Sequence, residues 1–361
     1  MKMRSGSISG IESYRKNRHG KTLAIVGTLV LLFLLLLASL YIGKTPLTLS
    51  QIFGNIIEQD GTWEGYVVHD IYLRRSVAAL VAGIGLGVSG AAMQCVLRNP
   101  LGSPYTLGLS NAAAFGAALG IMVIGGGSIV GSATSYYSID DPFVVVICAF
   151  AFSMIATGAI VASMRVMSAT PETMILAGMA MSAIFSAGIA FLQYQADENA
   201  LSAMVFWQFG DLEKIGWSNM PIMALAVLIP SIFLYAKSWD LNAIDMGDDV
   251  ARGLGINVDV TRIAVLIAAA LMTSVIISFV GIIGFIGLLA PHLARKIVED
   301  DKRLLFPASA AIGACIMLAA MLIGQNAFPF VVPVGIITSL VGGPLFLWIL
   351  FSKFREKEAS A

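Results

Sequence analysis

The sequence predicts an all-α polytopic membrane protein, and three observations carry the prediction. Of its 361 residues 58% are hydrophobic and 12% charged, whereas soluble chains run near a quarter charged. Nine apolar runs are long enough to cross a bilayer, which takes about 20 residues as a helix. The segments between those runs alternate in basic content, as the positive-inside rule requires of a multi-pass chain.

The first 21 residues hold Lys2, Arg4, Arg15, Lys16, Arg18 and Lys21 against the single acid Glu12, and the apolar run LAIVGTLVLLFLLLLASLYIG follows. A signal peptide has a shorter apolar core and a small-residue cleavage site. Residues 1–21 are therefore expected to be a cytoplasmic basic leader to a retained first helix. The nine runs cover roughly 22–42, 71–97, 105–125, 142–164, 172–195, 217–236, 261–280, 305–324 and 333–352. Between them, the segments 98–104, 165–171, 237–260 and 295–303 carry Arg98, Arg165, Lys237, Arg252, Arg295, Lys296, Lys302 and Arg303. The opposite set, 43–70, 126–141, 196–216 and 325–332, holds only Lys44 and Lys214 with acids such as Glu58, Asp60, Asp140, Asp141, Asp197 and Glu198.

The tail 353–361, with Lys353, Arg355 and Lys357, belongs by the same rule on the side of the leader. Two termini on one side need an even number of crossings, and nine is odd. The seventh run ends outside near Val280, yet Arg295 and Lys296 belong inside, so the chain must return over about 281–294. Fourteen helical residues cover only about 21 Å against a hydrocarbon core of about 30 Å. That stretch, GIIGFIGLLAPHLA, is expected to be a short return helix shielded by its neighbours, because irregular backbone survives at membrane depth only inside protein. Ten membrane helices in a single domain, 22–352, is the expectation.

Within the second run, Gly83, Gly87, Gly90 and Ala91 form a face of small residues; tight helix packing is the default reading, with a backbone-lined path as the alternative. The 17 methionines are scattered and packing is their default too. The stretch ASLYIGKT at 38–45 fits a relaxed phosphate-loop pattern, but Ala38 replaces the first glycine and no strand precedes it. The chain is therefore expected to bind no cofactor. Cys95, Cys148 and Cys315 lie far apart in apolar runs and read as small apolar side chains, and His19, His69 and His292 form no metal-ligand cluster. No catalytic or metal site is expected, and 22 basic against 22 acidic residues favour no nucleic acid.

Six of the runs contain no Asp, Glu, Lys or His in their interiors, where proton relays and most ion-coupled carriers bury such groups. A sodium site made of carbonyls stays open. Energy is thus expected from another subunit. The basic-side segment 237–260 is the largest insertion, and its LNAIDMGDDVARGLG reads either as an ordinary solvated loop or as a helical knob that docks into a partner.

Taken together, these pieces resemble the FecCD family of ABC-transporter permeases. The resemblance rests on LRRSVAALVAGIGLGVSGAAMQCVLRNPLGSPYTLGLSNAAAFGAALG (73–120), ARGLGI (251–256), GFIGLLAPHLARKIVEDDKRLLFPASAAIGA (284–314) and PVGIITSLVGGPLFLWIL (333–350), in the family's order. It implies the dimeric BtuC-like importer fold and a homodimer. It also implies two cytoplasmic ABC ATPase subunits, which would use ATP and Mg, and an external substrate-binding protein. By motif position Gly247, Ala251, Arg252, Leu254 and Gly255 match the ATPase-coupling helices. Asn99 and Pro100 match the turn near the cytoplasmic gate, and Pro171 and Glu172 open the pathway-lining fifth membrane helix. Gly284, Gly287, Pro291, His292 and Arg295 belong to the structural signature. Tyr72, Arg74 and Arg75 stand where the family has Arg-Leu-Pro-Arg for binding-protein docking, with Tyr72 at the first arginine and Arg74 at the proline. The family's Asp and Arg late in the ninth helix, and its Glu before Pro-x-Gly, are missing: the chain has AAMLIG at 319–324 and Val331.

The resulting expectation is the membrane subunit of an ATP-driven importer in the cell membrane, itself no enzyme, translocating a metal chelate, with iron-siderophore first. Cobalamin, haem or molybdate are the alternatives within the family. An ion-coupled secondary transporter and a non-transporting sensor or scaffold are the alternatives outside it.

Overall fold

The computed structural model describes residues 3–359 other than 44, 46, 58–60, 124–127, 131–135, 139–141 and 168–169. Lys2, Lys44, Glu58, Asp60, Asp140, Asp141 and tail residues 360–361 lie outside them. In chain order the elements are α1 (Met3–Tyr41), α2 (Leu49–Ile57), α3 (Trp63–Tyr66), a π-helical turn (Val67–Leu73) and α4 (Arg74–Val96). Next come α5 (Leu109–Met122), a hairpin of β1 (Ser128–Val130) and β2 (Tyr136–Ser138), α6 (Pro142–Met167), α7 (Pro171–Gln195) and α8 (Glu198–Gln208). After a 3-10 turn (Leu212–Lys214) follow α9 (Met220–Ala236), α10 (Ser238–Asp245) and α11 (Asp248–Gly253). The last four are α12 (Val258–Val280), α13 (Ile286–Val298), α14 (Lys302–Asn326) and α15 (Val334–Ala359).

Each of the ten expected membrane segments is a helix. Among the described residues six helices are long and apolar enough to cross a bilayer, and α9 qualifies jointly with α10, from which it is bent by 54°. The other three are the shorter apolar helices α5, α13 and the apolar part of α15. Beyond the ten, the connections contain α2, α8 and the antiparallel hairpin, which pairs Ser128 with Ser138 and Val130 with Tyr136.

The short return exists with shifted bounds. Residues 281–285 are irregular and the helix runs over Ile286–Val298 instead of ending near 294. Its 13 residues span about 20 Å at 1.5 Å each. Pro291 and His292 sit inside the helix and are buried; Arg295 and Lys296 occupy its last turn. The break is fixed by Gly281, whose φ of +81° and a would-be Cβ 2.5 Å from the Trp207 carbonyl exclude any larger residue.

α4 forms the axis of the core, packed against α9, α12, α13 and α14. Its glycines are contact points, as the packing reading holds. A Cβ on Gly83 would lie 2.6 Å from the Gly313 carbonyl of α14, Gly87 abuts the Ser309 carbonyl, and Gly90 abuts the backbone of Gly287 in α13. Contact between backbones replaces the hydrophobic drive that lipid cannot supply between helices. Buried hydroxyl pairs add directional ties, with Ser39 Oγ 2.7 Å from Ser76 and Ser153 Oγ 2.6 Å from Ser274. Around α5, Phe115, Phe152 and Phe185 join α5, α6 and α7, with Phe115 centroids 5.0 and 5.5 Å from the other two.

Candidate functional site

The basic-side insertion folds into two short helices, and the sequence explains their ends. Gly247, at φ +125°, breaks α10 from α11. After α11, Gly255 adopts φ +84° while its N–H donates to the Arg252 carbonyl at 3.0 Å, and the Ile256 N–H donates to the Ala251 carbonyl at 3.0 Å. That pair of bonds is the left-handed helix stop that favours glycine. Ala251 is fully buried under the knob, whereas Met246 is 75% and Leu254 66% exposed, with Val250 and Arg252 also outward. Arg252 pairs loosely with Asp249 at 3.7 Å and Asp259 at 4.0 Å. An apolar patch outside the membrane spans is a partner-binding feature.

The unexposed side of the knob is anchored by charge. Asp248 receives Arg262 Nη1 and Nη2 at 3.0 and 2.9 Å and is paired with Arg98, whose Nη2 also donates to the Ile244 carbonyl at 2.6 Å. Burial alone would raise the Asp248 pKa, but the Arg262 and Arg98 guanidinium groups hold it below the ordinary carboxylate value. Lys302, with its side chain 2% exposed, pairs with Asp245 of α10 and with Asp300 at 3.0 Å. Asn242 donates to Asp301 at 2.9 Å and accepts from the Lys302 N–H at 3.0 Å. The knob is thereby tied to the ends of α4, α12 and α14.

Asn99 lies beside this anchor. Its Oδ1 accepts from the Leu101 N–H at 2.9 Å and its carbonyl from the Gly102 N–H at 2.9 Å, which closes a tight turn in which Pro100 is exposed. Asn99, Leu101, Tyr105, Asn111, Met179 and Ser182 help line a cavity of about 580 Å³ between this turn and α7. Asn111 Nδ2 donates to Ser182 Oγ at 2.6 Å. A second cavity of about 580 Å³ shares Tyr105 and is walled by Gln208, Phe209, Phe285, Gly335 and Ser339. Its floor includes the irregular backbone at Ile282 and Gly284, as non-helical backbone at membrane depth requires. Among the described residues none that lines either cavity is charged.

Pro171 and Glu172 form the first turn of α7, capped by Thr170, and line neither cavity. The lining of α7 comes from Ile175, Met179, Ser182, Ala183 and Ser186. Sequence reading missed these five and Tyr105, although two serines four apart in an otherwise apolar helix are a legible polar stripe.

In the signature stretch, Gly284 lines the second cavity, Gly287 meets Gly90, and Arg295 bonds Gln94 and, at 2.8 Å, Asp300. Gln94 Nε2 donates to the Leu288 carbonyl at 3.4 Å. Among the described residues no group of three or more His, Cys, Asp or Glu could hold a metal ion.

At the opposite end, Tyr72 departs from its expected place on a docking surface. It is 7% exposed, its ring covers Gly43, and its hydroxyl accepts from the Thr45 N–H at 3.2 Å. Arg74 donates to the carbonyls of Asp70 at 2.6 Å, Glu213 at 3.1 Å and Ile215 at 2.8 Å. Arg75 forms an ion pair with Glu213 and has a side chain 14% exposed. Both arginines thus brace the α8–α9 connection from within the chain. Burial raises the Glu213 pKa above the ordinary value, only partly offset by Arg75.

Residues 31–352 match the model of the FecCD transport family. The chain is 41% identical over 338 residues to a protein assigned as an ABC transporter permease in Methanocaldococcus jannaschii, covering 92% of this chain and 96% of that one. It is 32% identical to the Fe(3+)-citrate import system permease YfmE of Bacillus subtilis, covering 93% and 96%. Relatives of 30–33% identity are named for hemin, molybdate and cobalamin import. A solved structure in an inward-facing conformation, assigned to the metal-chelate type of ABC transporter, superposes with a TM-score of 0.79 at 26% identity, covering 92% of this chain and 99% of that one. A membrane-embedded helical chain with an uncharged cavity and a protruding knob matches these relatives along nearly its whole length. The chain belongs to the FecCD transport family and is a multi-pass permease subunit of an ABC importer, a transport component whose ATPase is a separate protein.

Proposed function

We propose that the chain works as a homodimer with two cytoplasmic ABC ATPase subunits and an external binding protein, and that it imports a metal chelate, iron-siderophore foremost. The observation that carries this reading is the pair of neighbouring cavities with uncharged walls. Such walls suit a bulky chelate that must leave as readily as it enters, since a conduit that binds its cargo tightly cannot release it. The iron preference is supported by the Fe(3+)-citrate relative, and the named hemin, molybdate and cobalamin relatives keep those cargoes as alternatives.

In this reading residues 22–352 form one permease domain with leader and tail in the cytoplasm. The surface around Met246, Arg252, Leu254 and Gly255 seats in the ATPase, while Gly247 and Ala251 shape it from beneath. The Asn99–Pro100 turn gates the cytoplasmic end of the pathway, and Pro171–Glu172 sets the entry of α7. Docking of the binding protein falls near the Arg75–Glu213 pair, with Tyr72 and Arg74 as its internal support.

The test is uptake of labelled ferric citrate into vesicles holding permease, ATPase and binding protein, with unlabelled siderophore, hemin, cobalamin and molybdate as competitors. The expected result is uptake that requires ATP and the binding protein and is displaced best by a ferric chelate. Displacement by molybdate or cobalamin alone would replace the cargo, and uptake driven by an ion gradient without ATPase would overturn the mechanism.

A further inference from the structure

We infer that Arg98 is a positioning residue that links the ATPase-facing knob to the cavity wall, through its tether to Asp248 and Ile244. This rests on the coupling reading just given and assigns the part that carries the motion. Three observations converge on one residue. Arg98 closes α4 with φ +45°, a left-handed backbone that side chains other than glycine rarely adopt. Its guanidinium crosses to the knob, bonding the Ile244 carbonyl at the end of α10 and the Asp248 carboxylate at the start of α11. The next residue is Asn99, whose N–H donates to the Gln94 carbonyl at 3.2 Å and whose turn places Leu101 and Gly102 in the cavity wall.

The strained backbone and the tether therefore belong to the same side chain. Arg262, from α12, grips the Asp248 carboxylate with two hydrogen bonds and holds it toward Arg98. A displacement of α10 and α11 pulls on the guanidinium. The left-handed turn itself is held by backbone bonds, from the Arg98 N–H to the Cys95 carbonyl and from the Asn99 N–H to the Gln94 carbonyl, both at 3.2 Å, so that pull shifts Asn99 and Leu101 together with Arg98 as one piece. Coupling between sites is carried by contiguous packed and hydrogen-bonded groups, and the Arg98–Asn99 turn joins the knob to the cavity wall in this way.

The experiment uses the permease in complex with its ATPase subunits in nanodiscs. A Leu101→Cys reporter is placed in a background carrying Cys95→Ala, Cys148→Ala and Cys315→Ala. Maleimide labelling rates are compared in the nucleotide-free state and in the state trapped with ATP and vanadate. Arg98→Gly is the informative variant, because glycine adopts φ +45° without strain and keeps the turn while deleting the tether.

The nucleotide-dependent change in labelling rate is expected to fall about tenfold in Arg98→Gly, the scale of a site-to-site coupling, and to be largely recovered in Arg98→Lys. The double variant Arg252→Glu with Gly255→Asp, on the outer surface of the knob, should lose the change as well. A wild-type response in Arg98→Gly, with the response lost in the double variant, would overturn the tether and leave the coupling reading standing. A wild-type response in both would overturn the two together, and so would a reporter indifferent to nucleotide in the parent complex.

Discussion

Asp248 and Arg262, fourteen residues apart, form a two-pronged ion pair at 3.0 and 2.9 Å across the junction of α11 and α12. The Arg262 side chain is 3% exposed and that of Asp248 27%. Neither helix could hold this geometry alone, since α11 has six residues and depends on the anchor for its place.

Removing the carboxylate should therefore cost stability as well as coupling. Breaking a buried pair by deleting one partner costs about 3–5 kcal/mol, and the partial exposure of Asp248 puts Asp248→Ala near the lower end, about 3 kcal/mol. Thermal unfolding of the purified permease in detergent checks this. A loss within experimental scatter would mean that the pair contributes nothing to the fold.

The same residue gives a pH signature. Its folded pKa lies below the ordinary aspartate value of 3.8, so the folded state binds fewer protons there than the unfolded one. Its contribution is fully present above pH 3.8 and is lost as pH falls through the lower folded value. The difference in unfolding temperature between wild type and Asp248→Asn should be constant from pH 7 to pH 5 and shrink below about pH 3.8. A difference that vanishes already between pH 7 and pH 5 would assign the effect to another group.

A third prediction concerns the crossing of α4 and α13. A Cβ at Gly90 meets the Gly287 backbone, which cannot move aside as a flexible side chain could. Gly90→Ala should cost about 1–3 kcal/mol by overpacking, and Gly90→Val more. The readout is the monodisperse fraction on size exclusion after heating. Gly158 serves as the control, because nothing lies within 4 Å of its would-be Cβ, and Gly158→Ala should leave the profile as it is.

Much of this fold was legible because bilayer physics leaves few choices. Run lengths located nine segments, and the charges at Arg295 and Lys296 forced a tenth that hydropathy alone does not show. The small-residue face of α4 was readable for the same reason, since Gly83, Gly87 and Gly90 have no side chain to offer except proximity. The exact bounds of the return helix were not readable. Pro291 looks like a helix boundary, yet the carbonyl its missing N–H would bond belongs to Gly287, and the neighbouring helices hold the segment helical. The Asp248 bridge was out of reach for a different reason. Its partner Arg98 is 150 residues away, and pairings at that distance leave no periodicity. Tyr72 was misplaced because family position says where a residue stands in the chain and not which way its ring turns.

Gly255 isolates the helix stop from the docking surface. At φ +84°, with nothing within 4 Å of a would-be Cβ, an added methyl meets strain but no clash. Gly255→Ala should cost about 1 kcal/mol of local stability and lower transport per ATP modestly, while Gly255→Asp adds a charge to the apolar knob and should lower it further. Both are read as substrate moved per ATP hydrolysed in vesicles. Equal effects would mean that the backbone, and not the docked surface, is what the partner senses.

The cavity walls supply the last prediction. Ser186 lies in the α7 stripe that faces the cavity behind the Asn99 turn, four residues beyond Ser182, and its side chain is not packed in the core. Ser186→Glu therefore should fold, as judged by an unchanged unfolding temperature. It would nonetheless place a carboxylate in a wall that otherwise carries no charge among the described residues. A charge at membrane depth costs about 2.5–3.5 kcal/mol on insertion scales unless it finds water or a partner, so the carboxylate will recruit water or cations into the path. For a chelate that must pass without lingering, both outcomes raise the barrier, and uptake should fall at least about tenfold, the effect of 1.4 kcal/mol on a rate. Ser186→Ala is the matched control and should transport normally. If Ser186→Glu transports as well as Ser186→Ala, the stripe on α7 does not face the cargo, and the pathway must run along the second cavity by Phe285 and Ser339 instead.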